Sequence, residues 1–106
     1  MDIGKVMREA QLFQRRLSEI QGELASQRFT STVGGGMITV TVNGKSELLA
    51  IVIDPELVNP AELTMLQDLI VAGVNEALRQ SAETAREKMT ALTGGLNLPG
   101  LAGLFG

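Results

Sequence analysis

Four side chains near the start of the chain have the type and spacing to do chemistry: Lys5, Arg8, Arg15 and Arg16. Against Glu9 alone they leave a surplus of three positive charges between residues 5 and 16. On a helix all four lie away from the apolar residues, so they form either a solvated face or a phosphate-contacting one. Spacing alone supports the two readings equally. A second set, Arg79, Arg86 and Lys88, sits among Glu83 and Glu87 at helical pairing distances. Here a self-paired, solvated face is the stronger reading, and Lys88 suits the negative end of a helix dipole.

Other chemistries lack their residues. The chain has no His and no Cys, which removes imidazole acid–base work, thiolate nucleophiles, disulfides and the usual zinc sites. Asp54 stands at a strand end before Pro55 without an acidic partner, so it reads as a cap rather than a catalytic carboxylate. Gly34-Gly35-Gly36 has neither a helix start nor a Lys-Ser/Thr after it, so a phosphate loop fails and a hairpin turn remains. Nothing calls for a cofactor, a metal or a small-molecule substrate, and an enzyme is the least supported class.

At 106 residues the chain is one domain with a small core. Three Phe and no Trp or Tyr leave that core to Leu, Ile, Val and Met. A formal charge of −3 argues mildly against nucleic acid as a partner. No apolar run approaches the ~20 residues of a membrane span, and the N-terminus lacks a signal peptide's order. The expectation is a cytoplasmic protein with no membrane contact.

The elements that must position the cations follow from periodicity. Ile3, Val6, Met7, Ala10, Phe13, Leu17, Ile20 and Leu24 form one narrow helical stripe, closer to a coiled-coil seam than to a broad core face. Asp2 is its N-cap. Arg28–Val33, Met37–Asn43 and Ser46–Asp54 read as an antiparallel three-stranded meander. Asn43-Gly44 predicts a tight type I′ turn with positive φ at both residues. The third strand is apolar on both faces from Leu48 to Ile53; one face should meet the helices and a second copy is the economical cover for the other.

Asn59-Pro60-Ala61-Glu62 opens the second helix as N-cap, first residue and capping box. It runs to about Leu92, with Gly73 in its middle at a cost of ~1 kcal/mol relative to Ala. That glycine marks either a close approach or a tolerated defect. Residues 1–93 thus form an α-β-β-β-α domain, and 94–106 a Gly/Leu/Pro tail that is mobile or docks on a partner subunit. A helix of ~22 residues is ~33 Å long, whereas strands of ~7 residues span ~23 Å. The overhang predicts an α+β two-fold homodimer with a central sheet and protruding helical arms.

The Gln-bearing first helix, Asn43-Gly44, Val52-Ile53-Asp54-Pro55-Glu56-Leu57, Asp68-Leu69-Ile70-Val71-Ala72, Asn75-Glu76-Ala77 and Gly94-Gly95-Leu96-Asn97-Leu98-Pro99-Gly100 together resemble the YbaB/EbfC family. The resemblance covers nearly the whole chain; Gly73 departs from it, where Ala is expected. It implies a bacterial, nucleoid-associated homodimer that binds double-stranded DNA and influences nucleoid organisation and gene expression. It also implies that the DNA contacts lie on the two helices, which makes Lys5, Arg8, Arg15, Arg16, Arg79, Arg86 and Lys88 candidates by location. The alternative is a dimeric protein-interaction adaptor with no direct DNA role.

Overall fold

Helix α1 (Ile3–Ser26), strands β1 (Arg28–Val33), β2 (Ile38–Asn43) and β3 (Leu48–Ile53), and helix α2 (Leu63–Gly94) follow one another along the chain. The structure is a computed structural model and describes residues 2–94; the expected tail beyond Gly94 lies outside the described residues. The strands form one antiparallel sheet in the order β1-β2-β3, as the alternating pattern predicts. The described part of the chain is α+β, with a helix on each side of the meander in sequence.

Local chemistry starts each helix. The Asp2 carboxylate accepts a hydrogen bond from the Lys5 backbone N–H at 3.2 Å, satisfying one of the free donors of the first turn of α1. Asn59 caps as predicted, accepting from the Ala61 N–H at 3.0 Å. The turn it opens, Pro60–Glu62, is 3₁₀, and α-helical geometry begins at Leu63. There it is the backbone N–H of Glu62, donating to Asn59 O at 2.9 Å, that closes the turn. Asp54 caps a separate 3₁₀ turn, Pro55–Leu57, by accepting from the Glu56 N–H at 2.9 Å.

The two hairpins use glycine for different reasons. Gly34, Gly35 and Gly36 all take positive φ, at 64°, 68° and 91°, a region that side chains disfavour. The triple glycine is a hairpin turn, as expected. At the second hairpin the type I′ expectation fails: the positive φ falls on Ser46, at 62°, and not on Asn43-Gly44. The reason is tertiary. The Gly44 N–H donates to Leu24 O at 2.7 Å, and a Cβ on Gly44 would sit 2.6 Å from that oxygen. Gly44 is therefore required by close approach to the end of α1. Asn43 ties the loop, its Oδ1 accepting from the N–H groups of Lys45 and Glu47, both at 3.0 Å.

The core lies between β2 and α2. Ile38, Val40 and Val42, two residues apart on one face of β2, are fully buried, with Leu66 and Ala77 of α2 packed on them. Gly73 is the point of closest approach: a Cβ there would stand 3.0 Å from Val40 Cγ2 and 3.3 Å from Val33 Cγ2. The Ser31 hydroxyl donates to Gly73 O at 2.6 Å, and the Ser81 hydroxyl donates to Asn43 O at 2.8 Å. These two buried bonds fix α2 over β1 and the hairpin end of β2. The mid-helix glycine is a close approach, not a defect.

That placement corrects the expectation for β3. Because α2 packs across β1 and β2, the third strand is left at the sheet edge, with Ile53 alone of its residues partly buried. Val52 is 64% exposed, and even Ile51, on the helix-facing side opposite Val40, is 37% exposed. A bulge pairs Thr41 with Ala50 but Val42 with Leu48. The described chain extends 70 × 23 × 17 Å, with a radius of gyration of 19.5 Å. A compact chain of this length has ~13 Å. The excess comes from helix ends beyond the sheet: every residue from Ile3 to Leu12 is exposed.

Candidate nucleic-acid interface

A carboxylate partner competes with phosphate for a cation, so the ion pairs rank which candidates are most available. Lys5, Arg8, Arg15 and Arg16 are all exposed on α1, and none is in an ion pair among the described residues. At ~100° per residue Arg8 and Arg15 lie opposite the apolar stripe, while Lys5 and Arg16 flank it. From Lys5 to Arg16 the helix rises ~16 Å, about the axial length of five phosphates on one DNA strand. The sequence folds this way because the stripe turns one side of α1 towards apolar contacts and leaves the other to water.

The cations of α2 stand in a different field. The Arg79 guanidinium bridges Glu76 at 2.7 Å and Glu83 at 3.0 Å, on neighbouring turns. Its hydrogen bond holds the Glu76 carboxyl below its usual range, with a smaller contribution from the Gln80 amide; the same bond raises Arg79. Lys88 reaches across to Glu23 of α1, Nζ to Oε2 at 2.9 Å. Arg86 is exposed and outside these pairs. The Arg79–Glu83 spacing was legible in the sequence. The Lys88–Glu23 pair was not, because its partners are 65 residues apart.

The Lys88–Glu23 pair crosses a groove of about 370 Å³ between the helices, lined also by Arg16, Glu19, Ile20, Ala91 and Leu92. Arg16 is the one α1 candidate on this groove; the other three stand clear of it. Two further cations lay outside the sequence-based set. Arg28 donates to Ala25 O at 3.1 Å and so caps the C-terminal end of α1. Lys45 is exposed in the β2–β3 turn, where only its charge could have marked it. Among the described residues no group of three His, Cys, Asp or Glu could hold a metal ion. No described helix is long and apolar enough to cross a membrane.

Fold and face together define a class: a small helix–meander–helix protein with four exposed cations on its first helix that are outside any ion pair among the described residues. The chain belongs to the YbaB/EbfC DNA-binding family, whose model matches residues 1–96. It is similar to a nucleoid-associated protein of Clostridium novyi, 46% identical over 95% of this chain and 89% of that one. A nucleoid-associated protein of Desulfotalea psychrophila is also 46% identical, over 95% of both chains. The fold is shared with the crystal structure of an uncharacterised protein from Helicobacter pylori, at a TM-score of 0.79 and 22% identity. That similarity covers 88% of this chain and 98% of the other.

Proposed function

We propose that the protein is a bacterial nucleoid-associated homodimer that grips duplex DNA through phosphates, and that α1 supplies the contacts. It works in the cytoplasm, on the nucleoid, without cofactor, metal or catalytic step, and by occupying DNA it influences nucleoid organisation and gene expression. Membership of the DNA-binding family supports the partner. The observation that carries the mechanism is that Lys5, Arg8, Arg15 and Arg16 have no ion-pair partner among the described residues, whereas Arg79 and Lys88 do. Arg86 is a secondary contact; Arg79 and Lys88 contribute only if phosphate displaces their carboxylates.

The homodimer is supported by β3. Six apolar or small residues on an edge strand, five of them exposed and covering both faces, present a surface that a second copy can cover by two-fold pairing. A dimer doubles the local cationic face, although it doubles the formal charge of −3 per chain as well. Gel shifts on a random duplex at rising salt test the proposal. Binding at low salt that falls steeply supports it, and Arg8→Glu with Arg15→Glu should weaken it about a hundredfold while the fold persists. Binding indifferent to salt, or absent at low salt, would return the protein to the adaptor reading.

A further inference from the structure

Asn43-Gly44 is the one Asn-Gly pair in the chain; Asn59, Asn75 and Asn97 precede Pro, Glu and Leu. Asparagine before glycine is the pair most prone to spontaneous cyclisation, because no side chain on the second residue hinders its backbone nitrogen. The nitrogen of Gly44 attacks Asn43 Cγ and a C–N bond forms. The side-chain nitrogen leaves as ammonia, carrying the proton that Gly44 gives up. Water then opens the ring at either carbonyl and leaves aspartate or isoaspartate at position 43. The reaction requires only water, an available Gly44 nitrogen and room for the Asn43 side chain to turn onto it.

The fold holds both reacting groups. The Gly44 N–H donates to Leu24 O at 2.7 Å, Gly44 is buried, and Asn43 is only 4% exposed. An amide whose proton is engaged by a carbonyl and shielded from solvent keeps that proton, and with it loses its power as a nucleophile. The Asn43 amide is fixed from the other side. Its Oδ1 accepts from the N–H groups of Lys45 and Glu47, and its Nδ2 donates to Glu47 Oε1 at 2.8 Å. The Asn43 backbone is tied as well, its N–H to Glu47 O and its carbonyl to the Ser81 hydroxyl. Of these bonds only the one on the Gly44 nitrogen comes from α1. We infer that position 43 is a deamidation site gated by α1, inert while Leu24 holds Gly44 and reactive when the inner end of α1 lifts from the hairpin. The product does not restore the joint. A carboxylate at position 43 faces Glu47 Oε1 where an amide had donated, and isoaspartate adds a methylene to the backbone beside Gly44. The change is one-way and marks chains in which α1 has come loose. The inference does not depend on DNA binding.

The full chain is incubated warm at mildly alkaline pH, and peptide mapping separates asparagine, aspartate and isoaspartate at position 43. Conversion in the folded wild type should run about a hundredfold more slowly than in the same chain unfolded in urea. Leu24→Ala shortens the side chain that packs over Gly44, whereas Ile38→Ala weakens the core beneath α2. Compared at urea concentrations that give equal global stability, Leu24→Ala should convert about tenfold faster than Ile38→Ala. A measurement on the wild type needs no variant: as temperature rises, conversion should track hydrogen exchange of the Gly44 amide and not that of the Val40 amide in the core strand. Folded wild type converting at the unfolded rate would overturn the inference. Equal rates in the two matched variants, or conversion that follows Val40, would do the same by assigning the opening to global unfolding.

Discussion

On α1, four cations stand exposed without a carboxylate partner among the described residues, whereas on α2 two of three are engaged, Arg79 by Glu76 and Glu83 and Lys88 by Glu23. The two helices are also held differently. α2 is locked to the sheet by Gly73, Ser31 and Ser81 over a buried core, while the first turns of α1 have no cover among the described residues. The difference teaches that the number of basic residues on a helix does not locate a phosphate-binding face. Local carboxylates and cross-helix partners decide which charges are available.

The comparison can be broken first at the lock. Ile38→Ala removes a fully buried side chain beneath α2 and should cost about 2–5 kcal/mol in urea unfolding. Val6→Ala, on the exposed outer seam, should cost a fraction of that in the same assay. Equal losses would mean that the seam is as firmly packed as the core. Gly73→Leu should also destabilise, by about 1–3 kcal/mol, because the added atoms have no space beside Val40.

Smaller effects sharpen the account of α2. Ser81→Ala deletes a buried donor to Asn43 O and should cost about 1 kcal/mol, partly offset because the Ser46 N–H also donates to that oxygen at 3.2 Å. The smallest effect concerns Glu76. Its carboxyl lies below the ordinary range in the folded chain, chiefly through the Arg79 hydrogen bond. The resulting stability is present above the unfolded pKa, near 4.5, and lost as pH falls through the folded value. Glu76→Gln should therefore lower the melting temperature slightly at pH 7 and leave it nearly unchanged at pH 3. A larger loss at pH 3 would contradict the pairing.

Most of the architecture was legible because local signals and periods agree. The Asp2 and Asn59 caps, the period-two burial of Ile38, Val40 and Val42, and the three-and-four spacing on α1 each name their element. What escaped was tertiary. Asn43-Gly44 carries the local mark of a type I′ turn, yet Gly44 is demanded by the backbone of Leu24, and Ser46 takes the left-handed conformation. The exposure of β3 was half-read: its two apolar faces were visible, but the line α2 takes over β1 and β2 is set by the close packing at Gly73. In the candidate interface, the Arg79–Glu83 pair follows from sequence spacing, whereas the neutralisation of Lys88 needs the antiparallel packing of α1 and α2.

The central claim is that the cations of α1, and not Arg79 and Lys88 of α2, are the principal phosphate contacts. It is tested by the slope of log binding constant against log salt concentration for the wild type, for Arg8→Ala with Arg15→Ala, and for Arg79→Gln with Lys88→Gln. The account predicts that the α1 pair lowers the slope's magnitude by about 0.9 for each phosphate no longer neutralised, and that the α2 pair leaves it unchanged. A slope that survives the α1 substitutions and collapses with the α2 substitutions would contradict it.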